Sequence, residues 1–374
     1  MISLEEFAAS FGEEPGYLNF ASVGPPGRAV KDEQYAQMGL LGRARFGTID
    51  GLLGQGDRVR QAIAAVTGFA PTQVEFQPNT SLGLMHAMFG ITGGVAMSAA
   101  EFPSITYAAV RAAEAIGAIT PVWLATDQGR VTPGNLRSQL NESIVAVAVS
   151  LVDFRTGYLA DLEGIRQVIG DRLLIVDAIQ GFGVVDAPYE VADVVVAGGQ
   201  KWVRAGWGTG FLALSDRALA HIVPVISGFA ATETGELPVD EVQAPKAGVG
   251  AFQISNPDYI AQARFAAALE EIAEVGVPAI NAGVRDRVTR VIDLADEYAI
   301  PIVSPRETHE RAGIVVVEPP ADQLTVLTAS LFNHGVTTTT RGGRVRIAPH
   351  VSTSDESFDM LRASFLSFAS AITV

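Results

Sequence analysis

The stretch Asp177–Lys201 reads DAIQGFGVVDAPYEVADVVVAGGQK. Just before it stands Leu173-Leu174-Ile175-Val176, apolar without alternation, as in a strand covered on both faces of a parallel sheet. Asp177 falls where that strand should end, and open α/β sheets bind ligands at the carboxyl ends of their strands. Val191 to Val196 reads as the next strand, Gly198-Gly199 breaks it, and Lys201 follows. Beyond Gly206, Gly208 and Gly210 lies another apolar run, Phe211 to Leu214. One carboxylate and one amine therefore sit at strand ends in apolar surroundings.

Taken singly, an aspartate after a strand most often caps a helix or turn, and a lysine most often lies on the surface. Together they point to chemistry. A lysine in an apolar pocket has a lowered pKa and can form a Schiff base. A carboxylate facing a pyridine nitrogen keeps that ring protonated and makes it an electron sink. Pyridoxal 5′-phosphate (PLP) needs both.

Working outward, short apolar runs alternate with helical patterns from Val74 to Leu214. The predicted strands are 74–76, 95–98, 122–125 and 144–149, and the helices between them 81–89, 105–116, 133–140 and 161–169. This βα alternation predicts an α/β fold with a mostly parallel sheet. The C-terminal third mixes helical stretches (259–274, 279–298, 321–334, from 355) with strands (314–317, 336–340, 345–348), an α+β pattern. Ser3-Leu4-Glu5-Glu6 is a capping box. The expected division is an N-terminal helix over 1–15 packing on a small domain, a large PLP-binding domain over 16–255, and a small C-terminal α+β domain over 256–374. Residues 227–250, rich in Gly, Pro, Thr and Glu, read as a long functional loop.

Composition narrows the rest. With 26 basic and 41 acidic residues the formal charge is −15, which argues against nucleic acid. There is no cysteine, so no disulfide or thiolate metal site. The five histidines lack ligand spacing and no metal site is inferred. MISLEEFAAS lacks a signal-peptide pattern, no run reaches membrane-spanning length, and the expectation is a cytoplasmic protein with no membrane partner. Gly206-x-Gly208-x-Gly210 precedes a strand, not a helix, so the dinucleotide-loop mechanism does not apply.

VDAIQGFG, GGQKW and GWGTGFLAL resemble the active-site segment of the class V aminotransferase group of fold-type I PLP enzymes, which includes aminotransferases, kynureninases, cysteine desulfurases, C–S lyases and an epimerase. The resemblance runs from about Tyr17 to about Leu361. It implies an internal aldimine on Lys201, Asp177 on the pyridine nitrogen, and Gln180 on the phenolate oxygen. Asn79-Thr80-Ser81 follows a strand and opens a helix, whose free N–H groups suit a phosphate; the family's phosphate-binding pair falls on Thr80 and Ser81. Phe102, in Glu101-Phe102-Pro103-Ser104, is the candidate ring stacker, and this segment looks kynureninase-like, although Ile105 stands where that family has Asp. Phe252-Gln253-Ile254-Ser255-Asn256-Pro257 also resembles a kynureninase segment that reaches the partner's active site. Ser255 and Asn256 are its candidate cofactor contacts, or else the cap of the next helix. Gln200, Gly198 and Gly199 depart from the His or Tyr and the Ser of relatives, and Gln200 is a further cofactor candidate. Arg346 falls on the carboxylate-binding arginine, with Asn19 as a second substrate contact, whereas Arg341 and Arg344 read as surface residues.

These residues imply a homodimer with shared active sites and an amino acid as substrate. Transamination is the first expectation. A kynureninase-like hydrolase or C–S lyase, or an epimerase, is the alternative, and a non-catalytic PLP-fold binding or regulatory protein stands outside the enzyme class. Because sulfur transfer through a persulfide needs a cysteine nucleophile, the sequence alone sets the chain apart from persulfide-forming cysteine desulfurases.

Overall fold

A computed structural model describes residues 2–234 and 240–372. Seven strands form the main sheet: β1 (Val74–Phe76), β2 (Gly93–Ser98), β3 (Ile119–Leu124), β4 (Ile144–Ser150), β5 (Leu173–Asp177), β6 (Val194–Gly198) and β7 (Gly210–Leu214). Their order is β1-β7-β6-β5-β4-β2-β3. Neighbours from β3 to β6 pair parallel, and only β7 runs against the rest. The fold is α/β with a mostly parallel sheet.

The unbroken apolar runs predicted burial on both faces, and period-two alternation divides them between two cores. Met97, Ala148, Ile175, Val196 and Leu212 pack under the helices Thr80–Gly90 and Pro103–Ile116. Their neighbours Ala96, Val149, Val176, Ala197 and Phe211 pack on the other side. The strand expected from Val191 begins instead at Val194, because Tyr189–Val191 closes a 3-10 turn. Buried Asp193 then anchors the entry to β6. It accepts Leu174 N–H at 2.9 Å and pairs with Arg166.

A second sheet is antiparallel, in the order β8 (Val315–Val317), β10 (Arg344–Ile347), β9 (Thr339–Arg341). The strand expected over 336–340 is thus displaced: Thr337 bridges Tyr17, and pairing with β10 starts at Thr339. Helix Tyr259–Val275 packs on Arg28–Arg43 and Gln55–Thr67. The N-terminal helix Leu4–Ala9, capped by Ser3 and Glu6, packs against Tyr259–Val275 and Val277–Glu297. In the stretch 227–250, Thr232 bridges Pro245, whereas positions 235–239 lie outside the described residues.

One segment ties the two sheets to the catalytic loop. Leu18 N–H donates to Thr337 O (3.0 Å) and accepts from Ala348 N–H (2.8 Å) at its own carbonyl, while Gly24 N–H donates to Gln200 O (2.9 Å). The segment 17–24 therefore runs from the small sheet to the residue before Lys201.

Candidate active site

A cavity of about 450 Å³ opens between the two sheets. Phe102, Gln180, Lys201 and Arg346, four of the residues singled out from sequence, line it together with Ala21, Ser22, Phe154, Arg155, Thr339, Arg341 and Arg344.

Asp177 ends β5 directly beneath it, 1 % exposed. Its Oδ1 accepts Ile179 N–H at 3.0 Å, and its Oδ2 is buried with no partner among the described residues. Burial pushes its carboxyl up to about 6, against the pull of the Ile179 N–H and of the Lys201 charge. Burial in turn pushes the Lys201 amine down to about 8, with Asp177 holding it up and Arg346 pressing it down. This is the electrostatic pairing that two strand ends in apolar surroundings should produce. The Lys201 Nζ stands 5.5 Å from the Phe102 ring centroid, and that ring is held edge-on by Phe154 at 5.1 Å.

Gln180, 3 % exposed, donates from Nε2 to Ala21 O and accepts Trp202 Nε1–H at Oε1, each at 3.0 Å. That fixes the amide orientation and leaves its second N–H for a ligand. Glu101 accepts Ser150 N–H (3.1 Å) and Oγ–H (2.6 Å), pinning the end of β4 beside Asp177, its partner in the ladder.

At the opposite end, Thr80 opens the helix Thr80–Gly90 with its Oγ1 buried and without a partner. Ser81 Oγ shares a hydrogen bond with Ser104 Oγ at 2.7 Å. Asn79 is the cap, its Oδ1 accepting Leu82 N–H at 2.9 Å. Gly198 lets Gln200 Oε1, Ile179 and Thr80 Oγ1 approach closer than a Cβ would allow. An orphaned hydroxyl at a helix N-terminus suits a phosphate. An orphaned carboxylate oxygen at the far end suits a pyridinium. The residues present fit PLP.

Arg346, on β10, donates from Nη2 to Ser22 Oγ (2.7 Å) and from Nη1 to Phe154 O (3.3 Å). No described carboxylate pairs with it, its Nε has no partner, and burial lowers it to about 10. Asn19 does not line the cavity. It stands one bond behind, accepting Thr339 Oγ1–H at 2.7 Å, while Thr339 also meets Ser22 at 3.1 Å.

One expectation needs correction: neither Ser255 nor Asn256 caps the next helix. Asp258 caps Tyr259–Val275, its Oδ1 accepting the N–H of Ile260 and of Ala261, both at 2.9 Å, while Ser255 Oγ accepts Ala230 N–H at 3.2 Å. Arg341 and Arg344, read as surface residues, are exposed and half-exposed, and they also line the cavity with Arg155. The signal was present: residues two apart on one strand share a face, so 344 follows 346. Ser22, Phe154 and Thr339 carried no such signal, because they arrive through loops and a cross-sheet bridge.

The chain matches the family model described as "Aminotransferase class-V" over residues 59–373. No curated protein matches it by sequence. Among solved structures, it is similar to the apo cysteine desulfurase of Thermococcus onnurineus NA1 (18 % identity, 93 % of each chain covered, TM-score 0.82). It is also similar to a cystine C–S lyase in complex with cysteine persulfide (18 %, 94 % of this chain and 97 % of that, TM-score 0.84), and to the cysteine desulfurase CsdA of Escherichia coli (14 %, 100 % and 99 %, TM-score 0.82). These matches overturn the separation from cysteine desulfurases drawn from the missing cysteine. The shared architecture rests on core patterning over the whole chain, which the absence of one residue type does not alter. Among the described residues no helix is long and apolar enough to cross a membrane. The chain is a member of the class V aminotransferase family, an enzyme whose cofactor is pyridoxal 5′-phosphate.

Proposed function

We propose that the chain is an aminotransferase that moves a proton at Cα of an amino acid with Lys201 as its single base. Among the described cavity-lining residues Lys201 is the one group that can give or take a proton near neutral pH; the others are arginines, amides, hydroxyls and apolar side chains. This observation carries the proposal. Moving a proton off Cα and returning it to a neighbouring atom on the same face requires one base. Kynurenine-type hydrolysis and two-base epimerisation each ask for a second.

When bound, PLP supplies the electron sink for the charge that develops at Cα. Thr80 and Ser81 would hold its phosphate, Asp177 Oδ2 its pyridine nitrogen, Gln180 Nε2 its phenolate oxygen, Phe102 its ring face, and Lys201 its aldehyde carbon. Arg346 binds the substrate carboxylate with the N–H groups that Ser22 and Phe154 leave free, and the fixed fork orients Cα. The Lys201 amine, already partly neutral near pH 7 because burial lowers it to about 8, accepts the Cα proton. A homodimer with shared sites belongs to the same proposal. The exposed Tyr35, Met38, Phe46, Ile49 and Leu53 give it an apolar face, and Ser255 and Asn256 fall on the segment that reaches the partner in kynureninase-like relatives.

A second reading, C–S β-elimination, is favoured by the likeness to the cystine C–S lyase, and one base would serve it equally. Mixing the PLP-loaded protein with single amino acids separates the two. Transamination converts the cofactor stoichiometrically to its amine form and yields a keto acid that keeps the substrate side chain. If pyruvate and a thiol or persulfide appear with the cofactor unchanged, the elimination reading replaces it.

A further inference from the structure

The cavity is cationic in a protein that is not. Its lining contains Arg155, Lys201, Arg341, Arg344 and Arg346 and no aspartate or glutamate, whereas the whole chain carries a formal charge of −15. The proposed reaction uses Lys201 and Arg346. The other three cations have no task in it.

The hairpin places them. β9 and β10 are joined by Gly342-Gly343, whose φ of 57° and 81° suit a two-residue hairpin turn. In the register, Arg346 stands opposite Thr339 and Arg344 opposite Arg341. Side chains alternate across a strand, so Thr339, Arg341, Arg344 and Arg346 share one face, and all four line the cavity. Like charges directly opposite each other weaken a ladder. Glu318 relieves Arg344 at 3.1 Å, and Asp153 engages Arg155 through Nε (3.1 Å) and Nη2 (2.8 Å). Arg341 has no carboxylate partner among the described residues, and its charge presses on Arg346. Two uncompensated guanidinium groups therefore face one space. They stand two residues apart along the ribbon, a rise of about 7 Å, a span suited to the two ends of a short diacid.

We propose that the substrate is an amino acid with a second anionic group on its side chain, its α-carboxylate on Arg346 and its distal anion on Arg341. Arg344 and Arg155 are engaged by Glu318 and Asp153, so Arg341 is the cation left for the distal anion. The proposal rests on the reading of Arg346 as the α-carboxylate clamp.

Unreactive acids isolate binding from chemistry. Calorimetric titration of the PLP-loaded protein with succinate, glutarate and butyrate should show one of the diacids binding at least tenfold tighter than the monoacid. Arg341→Gln, at an exposed hairpin position that the fold does not depend on, should narrow that ratio below threefold. Arg346→Gln should weaken all three ligands. Equal affinities for diacid and monoacid in the wild type, or a preference that survives Arg341→Gln, overturns the distal subsite. An Arg346→Gln protein that binds all three as before overturns the clamp instead, a result separate from the first.

Discussion

Replacing Thr80 by Val should move the apo- and the PLP-loaded protein in opposite directions. The Thr80 side chain is 6 % exposed, and its Oγ1 has no hydrogen-bond partner among the described residues. An unmade buried hydrogen bond costs about 1–3 kcal/mol, so exchanging the hydroxyl for a methyl of nearly the same shape relieves a cost and opens no cavity. Both residues are β-branched, and the helix cap on Asn79 is untouched. The apo-protein should therefore gain up to about 1–2 kcal/mol, or roughly 1–3 °C in Tm for a chain of this size. With PLP bound, the same hydroxyl donates to a phosphate, and a hydrogen bond to a charged group is worth about 1.5–3 kcal/mol. PLP affinity should fall by roughly 10- to 150-fold. Thermal melts of the cofactor-free protein, paired with equilibrium PLP titrations, read both. A Thr80→Val protein that is less stable without cofactor yet binds PLP as tightly as the wild type refutes the phosphate cradle.

Asp177→Asn keeps an oxygen for Ile179 N–H but cannot hold a proton on a pyridine nitrogen. The fold should survive, while kcat/KM falls by an amount equivalent to about 2–5 kcal/mol, the usual cost of breaking a buried charge pair; a variant within threefold of wild type would remove Asp177 from the chemistry. The same variant removes the charge that holds the Lys201 amine up. Because only the neutral amine captures the PLP aldehyde, the pH midpoint for cofactor uptake should lie near 8 in the wild type and lower in Asp177→Asn, which stopped-flow mixing at a series of pH values would measure. The stability linkage has its own sign. Lys201 is depressed from the ordinary lysine value of about 10.4, so the unfolded chain holds more protons between pH 8 and that value, and the apo-protein gains stability from this group as pH rises through that window. The difference between wild type and Lys201→Met should therefore shift by up to about 3 kcal/mol across it, and a flat difference would mean that Lys201 is not buried as described.

Much of this was legible because burial writes itself into sequence. The run Leu173–Val176 could not be exposed on either face, so a sheet covered on both sides and the strand-end position of Asp177 followed, while the equally buried Phe211–Leu214 runs antiparallel. Phe102, Gln180 and Arg346 were singled out through the resemblance to class V relatives, and they meet in one cavity. Other residues were invisible for physical reasons. Ser22 and Phe154 reach the cavity on loops whose path depends on tertiary hydrogen bonds. Ser255 and Asn256 were misread as a cap because the helix start is decided by which side chain reaches the first free N–H groups, and Asp258 does so. Arg341 and Arg344 were read as surface residues; they do keep solvent exposure, and the hairpin register also puts them on the face that lines the cavity. The desulfurase branch was excluded on one missing residue type, which says nothing about a fold specified by hundreds.

The central claim is that Lys201 carries the cofactor. The chain has three lysines, Lys31, Lys201 and Lys246. Lys31 is exposed, and Lys246 is engaged by Ala230 O at 2.7 Å and Gln253 Oε1 at 2.9 Å. Borohydride reduction of the PLP-loaded protein, followed by peptide mass mapping, should place one pyridoxyl group per chain on the peptide containing Lys201 and leave Lys201→Ala without label or visible absorbance. A label on Lys31 or Lys246, or a Lys201→Ala protein that keeps the visible band, would contradict the account.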